Sequence, residues 1–211
     1  MLEKIDVLFH SSIRIDCGKI MYFDPYQVDK EFKDADFVFI THSHFDHYSE
    51  EDLEKVRMKE TIFFAPEDVA KSLSKWGVSE EKIQIVKPGD KREIENIQIE
   101  AVPAYNVNKG FHPKENLWVG YVITANGVSY YIAGDTDKTE DNEKVTCDVA
   151  FVPVGGTYTM TADEAAELVN IIRPKIAVPI HYGSVVGSKK DAVRFVELLD
   201  SGREGKIMMK G

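Results

Sequence analysis

The chain has 211 residues, 43% of them hydrophobic and 29% charged, ordinary values for a soluble globular protein that is long enough to bury a core without staples. Its 36 acidic and 26 basic residues leave a formal net charge of −10, which disfavours a nucleic-acid backbone as the main partner. Cys17 and Cys147 have no CxxC spacing, no apolar stretch approaches membrane-spanning length, and the start MLEKIDVLFH lacks the basic region and long apolar core of a signal peptide. These features predict one domain, residues 1–211, without a membrane segment, in the reducing cytoplasm.

In chain order, DVLFH (6–10), IRID (13–16) and KIMYFD (19–24) read as a β-meander with turns at Ser11-Ser12 and Gly18. DFVFIT (36–41) is a near-continuous apolar run, the signature of a strand buried on both faces. Ser49 and Asp52 resemble a capping box opening a helix to about Met58; TIFFA (61–65) is a strand, and Pro66 starts a helix ending near Trp76-Gly77. IQIV (83–86) and the run REIENIQIEAV (92–102) alternate as strands do. After a polar loop from Tyr105 to Asn116, WVGYVIT (118–124) and VSYYIAG (128–134) flank Ala125-Asn126-Gly127, a hairpin signal because Asn-Gly supplies positive φ. DVAFVPV (148–154) is a strand leading to a Gly155-Gly156 loop. Thr161 and Glu164 form a capping box for a helix to about Ile172, before Pro174. KIAVPIH (175–181) is a buried strand, Ser188 and Asp191 cap a helix to Leu199, and KIMMK is a final strand. This order of β followed by mixed βα, twice over, predicts two sheets face to face with helices outside, the halves joined near 105–116.

Half of the six histidines lie in one stretch, THSHFDHY (41–48). Given this composition, His-x-His-x-Asp-His arises by chance with a probability of about four in ten thousand. His42, His44, Asp46 and His47 follow one strand, Asp135 follows another within AGDTD, and His181 ends a third within PIHYG. Ligands gather at the carboxyl ends of strands in α/β sheets, so these segments are expected to converge. His42 and His44, two apart on an extended segment, point to one side, leaving Asp46 and His47 to turn toward a second centre. Imidazole and carboxylate without thiolate suit Zn²⁺, Mn²⁺ or Fe²⁺. Two such ions about 3.5–4 Å apart generate a nucleophile at neutral pH.

HSHFDH, AGDTD and PIHYG, in this order and spacing, resemble the metallo-β-lactamase-fold hydrolases. LFHSSIRI, YFDPY, AYNVNKGFHPKEN and VPVGGTYTM are further similar to the ascorbate-phosphate-lactonase-like branch of bacterial and archaeal metal-dependent hydrolases, across essentially the whole chain. The resemblance implies an α/β (α+β) fold, a four-layer αβ/βα sandwich. It also implies two divalent metal ions, zinc foremost with manganese or iron as alternatives. A metal-bound hydroxide would cleave an ester, lactone or phosphodiester bond of a small-molecule substrate.

Carried over by position, His42 and His44 serve the first metal, Asp46, His47 and His181 the second, and Asp135 bridges them, with Asp46 also shuttling a proton. Where many relatives have a histidine after the strand ending near Val102, this chain reads Pro-Ala-Tyr-Asn (103–106). His112 is the remaining histidine of that loop and the expected replacement, with Asn106 as rival. Asp24 is a candidate to accept a histidine N–H, or else a turn aspartate; His10 is a candidate catalytic acid or substrate contact, or else a core histidine. Tyr105, Asn106, Tyr158 and Tyr182 are candidates to line the substrate, or else packing residues. Lys189-Lys190 reads as a solvated helix start. An iron-dependent redox enzyme on the same ligands and a non-catalytic metal sensor are the alternative functions.

Overall fold

A computed structural model describes residues 4–209, which fall into two compact units, the first ending at Val86 and the second beginning at Lys87. In the first unit β1 (Ile5–Phe9), β2 (Ser12–Asp16) and β3 (Ile20–Phe23) form an antiparallel meander. Strands β4 (Ala35–Phe39), β5 (Arg57–Ala65) and β6 (Ile83–Ile85) extend it in parallel, in the order β1-β2-β3-β4-β5-β6. Helices α1 (Glu50–Val56) and α2 (Glu67–Trp76) make the last two crossovers.

Parallel strands need both faces covered, which is why the β4 run has no polar alternation. On one face the cross-strand neighbours Tyr22, Val38 and Phe63 pack with Leu53 and Val56 of α1 and with Val69 and Leu73 of α2. On the other face Phe23, Phe39 and Phe64 stack with ring centroids 4.9 and 4.7 Å apart, and all three are buried. Their offset by one residue from the first set follows from the two-residue side-chain period.

The second unit repeats the plan. Strands β7 (Lys91–Ile94), β8 (Ile97–Pro103), β9 (Val119–Ala125) and β10 (Val128–Ile132) form an antiparallel meander. Strands β11 (Val149–Pro153), β12 (Ile176–Ile180) and β13 (Glu204–Gly205) then run parallel to β10. Helices α3 (Ala162–Ile172) and α4 (Lys189–Glu197) connect the last three, each opened by a complete capping box, Thr161 with Glu164 and Ser188 with Asp191. Leu168 and Val169 of α3 and Phe195 of α4 join Ala150, Val152 and Ala177 in the core of this unit. Among the described residues no helix is long and apolar enough to cross a membrane.

The structure differs from several sequence expectations. The boundary between units lies at Val86/Lys87, not near 105–116, because β8 and β9 pair from Pro103↔Val119 onward and enclose that loop within one sheet. Residues 92–102 are not one strand: Glu95 and Asn96, with φ of 49° and 65°, turn the chain between Ile94 and Ile97. A two-residue hairpin turn needs such positive φ values. The first turn is His10-Ser11, with Ser12 already paired to Phe9. Helix α1 ends at Val56, and β5 begins at Arg57 with a bulge opposite β4, where Thr61 Oγ1 accepts from Met58 N and donates to Ala35 O. The last strand is Glu204–Gly205 and not KIMMK: Lys206 N still donates to Ala177 O, but the chain then leaves the sheet edge and Met209 packs on the core, while Lys210 lies outside the described residues.

The phenylalanine stack yields a stability prediction. Phe39→Ala removes the middle ring of a fully buried ladder and is expected to lower unfolding free energy by about 3–5 kcal/mol, read from the midpoint of urea denaturation at unchanged slope.

Candidate metal centre

Strand direction decides where the donors lie. In the first unit β1, β3 and β4 run the same way, so His10, Asp24 and residues 42–47 all leave that sheet at one edge. In the second unit β8, β10, β11 and β12 share one direction, so the loop bearing Asn106 and His112, together with Asp135, Tyr158 and His181, leaves at one edge there too. This is the edge at which α/β sheets carry their ligands.

Within the first unit, Asp24 is fully buried and organises the histidines. Its carboxylate accepts from Thr41 N at 2.8 Å, Thr41 Oγ1 at 2.7 Å and His47 Nδ1 at 2.7 Å. Because the Thr41 hydroxyl proton is committed to Asp24, its oxygen is left to accept from His42 Nδ1 at 3.0 Å. His42 and His47 therefore carry their protons on Nδ1 and present Nε2 as a lone pair, the arrangement that metal-ligating histidines require. His42 Nε2 lies 3.1 Å from His44 Nδ1. Neighbouring nitrogens around a tetrahedral zinc ion with bonds of about 2.0–2.1 Å are about 3.3 Å apart, so this pair fits a shared cation. Asp46 Oδ2 lies 3.3 Å from His10 Nε2 and 3.8 Å from His47 Nε2.

Within the second unit, one carboxylate oxygen faces two imidazoles: Asp135 Oδ2 is 3.0 Å from His181 Nε2 and 3.3 Å from His112 Nε2. Gly155 is required beside them, since a β-carbon there would stand 2.5 Å from the His181 carbonyl oxygen. His10, Asp24 and His181 have φ of 51°, 43° and 57°, a region that non-glycine residues rarely occupy. Such strain is concentrated at functional sites, where surrounding structure over-determines the conformation.

The remaining candidates fall into distinct places. Asn106 is buried, and its amide is hydrogen-bonded to His112, Asp137 and the Tyr158 carbonyl. Tyr105 donates to Asp141 at 3.0 Å and lies under the Lys114 ammonium, 4.3 Å from the ring centre. Tyr158 packs edge-on against Phe111, and Tyr182 is buried with its hydroxyl lacking a hydrogen-bond partner among the described residues. Burial pushes the Tyr182 phenol above its usual range. Lys189 and Lys190 are exposed at the start of α4. Sequence reading passed over Thr41 and Asp137, although each adjoins a motif it singled out: Thr41 precedes His42, and Asp137 is the second aspartate of AGDTD.

The donor set is imidazole and carboxylate throughout, since Cys147 sits in the hydrophobic core and Cys17 follows β2. These residues fit a borderline divalent cation. Asp24→Asn keeps the size but removes the charge that holds His47 and Thr41. It is expected to weaken metal affinity about 10–100-fold, measured by competition with a chromophoric chelator.

A family profile described as the β-lactamase superfamily domain matches residues 13–182. The UPF0173 metal-dependent hydrolase TK0141 of Thermococcus kodakarensis is 30% identical, the match covering 100% of this chain and 98% of that one. A Parabacteroides distasonis crystal structure, designated a metal-dependent hydrolase, superposes with a TM-score of 0.84 at 32% identity over 98% of this chain and 93% of that one. A Thermotoga maritima structure, designated a zinc-dependent hydrolase of the metallo-β-lactamase superfamily, shares the fold with a TM-score of 0.65 at 20% identity, covering 97% of each chain. The mixed α/β architecture of two sheets and four helices is that of the metallo-β-lactamase fold, and the chain belongs to the UPF0173 metal-dependent hydrolase family of this superfamily.

Proposed function

We propose that the chain holds two divalent cations, zinc foremost, and uses them to hydrolyse an ester, lactone or phosphodiester bond of a small substrate. In this reading His42, His44 and His112 serve one cation, Asp46, His47 and His181 serve the other, and Asp135 bridges the two. The observation that carries it is the convergence of two imidazole Nε2 atoms on one Asp135 oxygen, at 3.0 and 3.3 Å. When bound, a pair of cations supplies a hydroxide nucleophile at neutral pH and offsets the charge that develops on the attacked group.

The protein's own residues then handle the proton and the substrate. Asp46, buried against His10, is placed to take a proton, and His10 to hold the substrate or protonate the leaving group. Phe45 lies between His44 and Asp46, is 64% exposed and meets Tyr26 edge-on at 6.0 Å. An exposed aromatic at that position favours a substrate with an apolar portion. The net charge of −10 speaks against nucleic acid as substrate. The motifs LFHSSIRI and AYNVNKGFHPKEN support placement in the ascorbate-phosphate-lactonase-like branch. Cys17 and Cys147 form no disulfide among the described residues, which suits a reducing cytoplasm.

The test is a turnover screen across phosphodiesters, lactones and thioesters, with Zn²⁺ and Mn²⁺ supplied separately. One substrate class is expected to turn over with one of the ions, to stop on chelation and to resume when that ion is returned. Asp46→Ala is expected to lower kcat about 10²–10⁴-fold while thermal unfolding stays cooperative. A screen without turnover under either ion removes the proposal.

A further inference from the structure

The loop that carries His112 is closed at its neck by Asn106. The backbone N–H of Asn106 donates to the His112 carbonyl at 2.8 Å. Its side-chain oxygen accepts from the His112 backbone N–H at 3.1 Å and from His112 Nδ1 at 3.2 Å. Its amide nitrogen donates to Asp137 Oδ1 at 3.2 Å and to the Tyr158 carbonyl at 3.0 Å. An asparagine amide offers two donors and two acceptor lone pairs, so its whole capacity is used. The orientation is unambiguous. Turning the amide over would set its N–H groups against the His112 N–H, and its oxygen against the Asp137 carboxylate and the Tyr158 carbonyl. With its oxygen accepting, the proton of His112 sits on Nδ1, and Nε2 is left as the lone pair facing Asp135.

Asp137 anchors the arrangement. Its second carboxylate oxygen accepts from Val107 N at 2.9 Å, its first also pairs with Lys109, and its backbone N–H donates to the Tyr105 carbonyl at 3.0 Å. Tyr105 and Lys114, on either side of the loop, both bind Asp141. The segment that supplies Asp135 thus also holds both ends of the His112 loop. His112, Asn106 and Asp137 are all buried, and Trp118 packs edge-on against the His112 ring at 5.5 Å.

We infer that Asn106 is a positioning residue and not a ligand: its amide, anchored by Asp137, turns His112 Nε2 toward Asp135. On this inference His112 takes the place of the histidine absent from positions 103–106. The inference rests on the metal-site reading above, but its test uses metal binding alone, so a chain that binds two ions and hydrolyses nothing would still support it.

The experiment is a Co²⁺ titration of the full chain, followed by visible absorption and by elemental analysis after gel filtration. His112→Ala is expected to lose one of two ions. Asn106→Ala is expected to keep that ion with affinity reduced about 10–100-fold, as for loss of a residue that orients a ligand. The double variant should bind no worse than His112→Ala, because both act through one imidazole. Asn106→Asp should weaken the same ion, because its second oxygen opposes the Asp137 carboxylate and the Tyr158 carbonyl where the amide N–H groups had donated. Wild-type affinity in Asn106→Ala, additive losses in the double variant, or loss of the ion from Asn106→Ala but not from His112→Ala would overturn the inference. Undiminished affinity in Asn106→Asp, in a chain that unfolds cooperatively, would do the same.

Discussion

Crowded donors are the constraint on which this structure turns. Two imidazole nitrogens face each other at 3.1 Å, buried carboxylate oxygens stand 3.0–3.3 Å from Nε2 of His10, His112 and His181, and the Nδ1 atoms of His42, His47 and His112 are tied to Thr41, Asp24 and Asn106. Burial removes the water that would otherwise satisfy such groups, and a buried polar group without compensation costs about 1–3 kcal/mol. A divalent cation satisfies several donors at once. Its binding free energy is then available to stabilise the fold as well as to perform chemistry.

Everything else in the architecture serves that convergence. Each sheet changes from antiparallel to parallel pairing partway across, which sends alternate meander strands and the parallel strands out at the same edge. The strand ends are strained, with positive φ at His10, Asp24 and His181. A buried apolar cluster in each unit, joined in the first by the phenylalanine stack on the opposite face of its sheet, backs these strands. Stable framework and strained rim are two parts of one design, since strain persists only where neighbouring structure over-determines it.

Much of this was legible in the residues because the relevant forces are local. The Thr161–Glu164 and Ser188–Asp191 boxes and the Asn126-Gly127 turn stand where their short-range chemistry demanded. The Glu95-Asn96 hairpin was missed because glutamate is a poor signal for positive φ, although the alternation changes phase there, from Ile94 to Ile97 and Ile99. The loop at 105–116 was misread as a joint because composition reports that a segment is polar, and only strand pairing reports that β8 and β9 lie side by side. The choice between His112 and Asn106 was open for a similar reason. It depends on hydrogen bonds between Asn106 and Asp137 and between Asn106 and Tyr158, partners 31 and 52 residues away.

The most direct test of the central claim is anomalous diffraction from crystals grown with Zn²⁺ or Mn²⁺. The account predicts two peaks about 3.5–4 Å apart, with the Asp135 carboxylate between them and His44 and His181 on different ions. Density showing His44, Asp135 and His181 with no cation within bonding distance, or cations held separately by the two units, would contradict it.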